Sequence, residues 1–167
     1  MNESGAKIEL TLVSGGQTGV DRAALDFALE RGLPCGGWCP RGRWAEDGPL
    51  AARYPLQETP DAVVAQRTAW NVRDADATLI FKRGELSGGT LLTLQLVREM
   101  GKPHVIVDLG AVGQRTLFNR AEELGPELCR WLRDQGIKRL NIAGPRESGA
   151  PGIYRQVVDF LSGLPCL

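Results

Sequence analysis

The chain of 167 residues has one histidine, four cysteines and no surplus of charge of either sign, and each shortage removes a class of function. His104 follows Pro103 in an apolar run, so Ser-His-Asp and Cys-His hydrolytic arrangements lack a well-placed base. Cys35, Cys39, Cys129 and Cys166 are too sparse for a disulfide scaffold and are read as reduced thiols. The Cys35–Cys39 spacing is not a zinc spacing and no second pair stands nearby, so no protein-built metal site is expected. Twenty basic side chains balance twenty acidic ones, leaving no global field to draw in nucleic acid or an anionic membrane, and neither is an expected partner. No apolar run approaches the ~18 residues that cross a bilayer and no leader pattern is present, so the expected location is the cytoplasm. Also missing are G-x-x-x-x-G-K-[ST] and G-x-G-x-x-G, which weighs against NTP hydrolysis and ordinary NAD binding.

What is present suits an ordinary globular chain: 43% hydrophobic and 24% charged residues, long enough for one domain with a proper core. Residues 1–167 are read as a single Rossmann-like ligand-binding domain, with residues 1–6 expected to fray. Ile8 to Val13 alternates as a strand, and Val20, Ala24, Phe27 and Ala28 then fall at helical spacing, with Gly32 as the stop. Cys35 to Leu56 reads as a long ordered loop around a short strand near Gly37 to Cys39. Thr59, Pro60 and Asp61 look like the cap and first turn of a helix over residues 60–73. Ala77–Lys82, His104–Asp108 and Arg139–Ala143 are short buried strands, with helices after Ser87, between residues 114 and 135, and from Pro151. The pattern predicts a three-layer α/β fold with about five parallel strands flanked by helices.

Three turns stand where a predicted strand should hand over to a helix: Ser14-Gly15-Gly16-Gln17-Thr18-Gly19, Ser87-Gly88-Gly89-Thr90 and Gly144-Pro145-Arg146-Glu147-Ser148. Right-handed crossovers bring all three to one sheet edge, with Asp108, where free N–H groups and helix N-termini favour a phosphate. The hydroxyls of Ser14, Thr18, Ser87 and Thr90 are candidate donors, and Arg146 or Arg22 is a candidate bidentate partner. Trp38 and Trp44 flank the long loop and are candidates either for stacking on a flat ring or for packing. Asp21, Glu46 and Asp47 are weak candidates for acid–base work.

The segments SGGQTGVDRAALDFA, GWCPRGRWAEDGPL, YPLQET, RTAWNVRDADATLIF, SGGTLLTLQL, GKPHVIVDL and LNIAGPRESGAPGIY resemble the molybdenum carrier family, named for similarity to algal molybdenum-cofactor carrier proteins. That family belongs to the SLOG, lysine-decarboxylase-like Rossmann group, which includes cytokinin-activating phosphoribohydrolases. The resemblance implies a homo-oligomer that holds molybdenum cofactor or a nucleotide, with ligand phosphate at the Gly turns. It points to Ser14, Gly15, Gly16, Thr18, Gly19, Gly88, Gly89, Thr90, Gly144, Arg146 and Ser148, and marks Arg67, Thr68 and Asn71 as family-typical. The phosphoribohydrolases place a catalytic Glu soon after their Gly turn. Here Thr90 is followed by Leu91-Leu92-Thr93-Leu94, which favours a binding protein over an N-glycosidic hydrolase of nucleotides or NAD derivatives. A nucleotide-sensing scaffold is the third reading.

Overall fold

The apolar runs at Ala77–Lys82 and Arg139–Ala143 carry side chains for both faces of a sheet. The computed structural model, which describes residues 7–110 and 117–167, places them side by side at its middle. In chain order the elements are β1 (Thr11–Val13), α1 (Val20–Arg31), β2 (Cys35–Cys39), β3 (Trp44–Ala45), β4 (Gly48–Pro49), β5 (Leu56–Glu58), α2 (Val64–Asp74), β6 (Ala77–Lys82), α3 (Gly88–Glu99), β7 (His104–Asp108), α4 (Leu117–Asp134), β8 (Arg139–Ala143) and α5 (Ile153–Ser162). Six strands form one sheet in the order β5-β2-β1-β8-β6-β7, every pairing parallel. The main core joins α1, α4 and α5 to one face, where Phe81 meets Phe160 edge-on at 5.3 Å. A smaller core of Val72, Ile80, Leu94 and Val97 fixes α2 and α3 on the other face. The chain is therefore a three-layer, Rossmann-like α/β protein.

The sheet has six strands rather than the expected five. The extra one, β5, is only three residues long and pairs with Gly37–Cys39; Leu56 alone of the three is buried, so it shows no alternation to read. The long loop before it holds a two-residue antiparallel pair, β3–β4, and is fastened by Arg43, whose guanidinium donates to the carbonyls of Leu56, Ala51 and Tyr54. The helix expected at residue 60 starts at Val64. Thr59 donates instead to the carbonyls of Asp61 (2.8 Å) and Cys39 (3.2 Å), tying the loop to β2 before the helix begins. Residues 117–134 form one helix; the expected fraying of residues 1–6 and a helix start at residue 114 lie outside the described residues.

Two features tie down the C-terminal segment. Ile8 N–H donates to the Cys166 carbonyl at 3.1 Å, and Cys129 of α4 forms a disulfide with Cys166. The expectation of four reduced thiols is thus wrong for this pair. Both side chains are fully buried where the C-terminal segment crosses α4, with Cα atoms 5.8 Å apart, a distance that sequence spacing cannot show. Cys35 and Cys39 are free.

Thiol titration of unfolded, unreduced protein is expected to count two groups, those of Cys35 and Cys39. Cys166→Ser is expected to lower stability by about 2–4 kcal/mol in urea unfolding, because the bond closes a long loop.

Candidate functional site

The glycines of the three turns divide into two kinds. A Cβ on Gly15 would stand 1.6 Å from Arg67 Nη1, one on Gly19 2.5 Å from the Pro145 carbonyl, and one on Gly144 2.5 Å from Val20 Cγ2. Gly16 faces Leu56 and Leu50 in the same way, at 2.6 and 3.0 Å. These residues are small so that the loops after β1 and β8 can lie against each other and against the long loop; Val20 N–H donates to the Pro145 carbonyl at 3.2 Å across that seam. Gly88 and Gly89 differ, since nothing lies within 4 Å of a Cβ on either. Bare backbone there faces open space.

That open turn lines a cleft of about 210 Å³ at the carboxyl ends of β1, β6 and β8. β8, the last strand, sits between β1 and β6, so this is where the chain order of the sheet is broken, the usual ligand position in an open α/β sheet. Ser87 caps α3 without a side-chain hydrogen bond, and the first helical bond runs from Leu91 N to the Ser87 carbonyl. The N–H groups of Gly88, Gly89 and Thr90 precede it, at the positive end of the helix dipole. Arg67, Lys82, Arg83 and Arg146 line the cleft against two acids, Asp21 and Glu85. Lys82 is shared with Asp108 at 3.1 Å, and Arg83 donates to the Pro151 carbonyl at 2.6 Å. The cleft is basic although the chain is neutral.

Its floor is a buried ion pair. Arg67 Nη1 donates to Asp21 Oδ2 at 2.9 Å, and Gln17 N–H adds a 3.3 Å contact to the same oxygen. Burial pushes the Asp21 carboxyl up from the ordinary value, against the pull of Arg67, the Gln17 N–H and Arg22. Arg67 Nε is buried with no hydrogen-bond partner among the described residues. Thr68, Gly144 and Gln17 complete this part of the wall.

Other candidates serve the frame. Ser14 is fully buried and donates to the Asp21 carbonyl at 3.0 Å. Asn71 clamps α2 to β2, accepting from Trp38 N–H at 2.8 Å and donating to the Trp38 carbonyl at 2.9 Å. Trp38 packs edge-on against Trp70 and donates to Asp74, while Trp44 lies exposed; neither lines the cleft. Thr18 and Ser148 turn to Glu46: both hydroxyls donate to its carboxylate, Ser148 N–H reaches it at 3.1 Å, and Arg146 Nη1 stands 3.8 Å away. Asp47 receives both guanidinium arms of Arg22 at 3.0 and 3.1 Å. The acidic pair is therefore a clasp: Glu46 holds the β3–β4 hairpin to the first and third loops, and Asp47 holds it to α1.

Of the residues singled out in the sequence, the cleft gathers Asp21, Arg67, Thr68, Ser87, Gly88, Gly89, Thr90, Gly144 and Arg146. It leaves out Ser14, Gly15, Gly16, Thr18, Gly19, Asn71, Ser148, Glu46 and Asp47. It adds Gln17, Lys82 and Arg83, which the sequence reading missed. A Lys-Arg pair at the carboxyl end of the strand that precedes Ser87-Gly88-Gly89 was the available signal for the last two.

Fold and cleft together define a Rossmann-like α/β protein with a basic crevice at the break in its strand order. The family model described as Circularly permutated YpsA SLOG family matches residues 12–164, and the chain belongs to that family. The permuted name suits a sheet whose last strand lies beside its first. Among solved structures, the chain is similar to a "Putative molybdenum carrier protein" from Syntrophus aciditrophicus SB. The two share 41% identity and a TM-score of 0.83, over 92% of this chain and 93% of that one. Among curated proteins, none matches significantly.

Gly15→Ala should drive Arg67 off Asp21 and cost about 3 kcal/mol in urea unfolding, the scale of breaking a buried pair. Gly89→Ala should change stability by under about 1 kcal/mol. Hydrogen bonds from Ser148 and Thr18 hold the Glu46 carboxyl below its ordinary value. Its contribution to holding the clasp is thus complete above the ordinary carboxylate pKa and is lost as pH falls through the lowered folded value. Protection of the Ser148 amide from hydrogen exchange, taken relative to the intrinsic rate at each pH, should fall over that acid window and stay constant above it.

Proposed function

We propose that the protein binds a phosphorylated, flat-ringed ligand in this cleft, molybdenum cofactor or a nucleotide, and carries it rather than transforming it. The observation that carries the reading is the Ser87–Thr90 turn: an uncapped helix start with open backbone at Gly88 and Gly89, in one cleft with Arg67, Lys82, Arg83 and Arg146. First-turn N–H groups and guanidinium groups are the donors that phosphate oxygens take. The cleft volume is below the roughly 300–1,000 Å³ usual for small-molecule sites, which suits an enclosed phosphate end with the ring toward the mouth. Val64, Leu86 and Pro145 give that ring an apolar wall.

The name of the Syntrophus protein supports molybdenum cofactor among such ligands. The residues present fit its organic part: cations for the phosphate and the Asp21 carboxylate for the donor groups of a pterin. In that case the cofactor would bring its metal with it, and these residues would hold its organic part. The reading treats residues 1–167 as one ligand-binding domain of a cytoplasmic homo-oligomer, an assembly that sedimentation of the purified protein checks.

One observation keeps a hydrolase as the second reading: Asp21, with its raised carboxyl, lines the cleft, whereas Glu46 and Asp47 do not. Its commitment to Arg67 argues against a free base. Release of free base from a nucleotide panel, lost in Asp21→Asn, would establish that reading.

Calorimetry with AMP, ADP and molybdopterin is expected to find a ligand that binds at micromolar concentration. Gly89→Val, in open space, should weaken that binding by about tenfold or more and shift the melting temperature by no more than about 4 °C. Silence toward the whole panel at millimolar concentration would end the proposal. Mass spectrometry of ligand released from natively purified protein then separates pterin from nucleotide.

A further inference from the structure

We propose that the Thr18, Ser148 and Arg146 donors form a second oxyanion subsite beside the cleft, and that Glu46 occupies it as an internal stand-in for a tetrahedral anion. The resemblance already points to these donors as ligand contacts; what is new is Glu46 as their internal occupant, and that does not rest on binding at the α3 turn.

Glu46 comes from the β3–β4 hairpin, yet every side-chain partner of its carboxylate belongs to the first or third loop. Thr18 Oγ1 and Ser148 N–H both donate to Oε1, and Ser148 Oγ donates to Oε2 at 2.5 Å. Three donors of two kinds, two hydroxyls and one backbone N–H, converge on one negative charge, as they do around a bound phosphate. They are held in place from behind: Gln17 Oε1 accepts from both Thr18 N–H and Glu46 N–H, and Glu147 N–H donates to Thr18 Oγ1 at 3.2 Å.

The fit is good for a carboxylate in all but one respect. Arg146 Nη1 stands 3.8 Å from Oε2, beyond hydrogen-bond reach, and its side chain is largely exposed. A planar group with two oxygens satisfies the hydroxyls and the N–H and has no third oxygen for the guanidinium. A tetrahedral oxyanion has one, and it carries more charge for a cation to answer. Arg146 also lines the cleft, so the subsite adjoins it through this residue. An anion entering there would displace Glu46 and loosen the hairpin, leaving Arg22–Asp47 as its remaining charged tie.

The test is anion rescue. Glu46→Ala should lower the melting temperature, since it strips the clasp of its acceptor. Inorganic phosphate at constant ionic strength should restore most of that loss, and the variant should bind phosphate about tenfold more tightly than the parent by calorimetry. Repeating the measurement in Glu46→Ala/Gly89→Val isolates this subsite from the α3 turn, so a failed carrier reading leaves the result interpretable. Ser148→Ala added to Glu46→Ala should abolish the gain. ADP in place of phosphate reports the source: rescue by ADP and not by phosphate assigns the anion to a ligand's terminal phosphate, and the reverse assigns a free ion. If Glu46→Ala fails to fold, Glu46→Gln is read in the same assay. A variant that responds to phosphate and ADP no more than the parent does, or that acetate restores while phosphate does not, overturns the proposal.

Discussion

A single buried contact organises this molecule: the Arg67–Asp21 pair, laid across Gly15. Asp21 starts α1, Arg67 lies in α2 on the opposite face of the sheet, and the two meet only at the end of β1. A charge on either side chain alone would be costly in so enclosed a place, and together they stay because each satisfies the other. The pair demands a residue without a side chain at position 15. It draws the first turn toward α2, which α3 packs against, and sets the floor on which the cleft rests.

Much of this was legible in the residues, and the boundary of what was not is informative. β6, β7 and β8 fall where their apolar runs end, and Gly32 closes α1 in a left-handed cap. These are local signals, written in consecutive residues. β5 escaped because pairing with β2, rather than its own pattern, makes it a strand. Thr59 escaped because its side chain found carbonyls to bond before a helix could use it as a cap. The Cys129–Cys166 bond depends on a crossing of the C-terminal segment over α4, which no spacing encodes.

The site shows the same division. Gathering the three turns on one edge followed from crossover handedness, but their glycines looked alike in sequence and do different work. Those at 15, 16, 19 and 144 make room for protein, and those at 88 and 89 leave room for something else. Likewise Glu46 and Asp47, which suggested acid–base chemistry as neighbours in a loop, acquire a meaning only from Thr18, Ser148 and Arg22, at least 25 positions from the acid each one meets. Lys82 and Arg83 show the opposite failure. Two cations at a strand end could have been noticed by position alone, and the chain's overall neutrality concealed them.

The placement of β8 has a bearing on how the protein is made. Of the strands described, the one that separates β1 from β6 is the last in chain order, and its end residue Ala143, with Gly144 after it, lines the cleft. Until it arrives, β1 and β6 have no shared neighbour and the two halves of the sheet have nothing to close upon. Such late, long-range pairing is slow by nature. The cleft therefore has both of its sides only once β8 has paired with β1 and with β6.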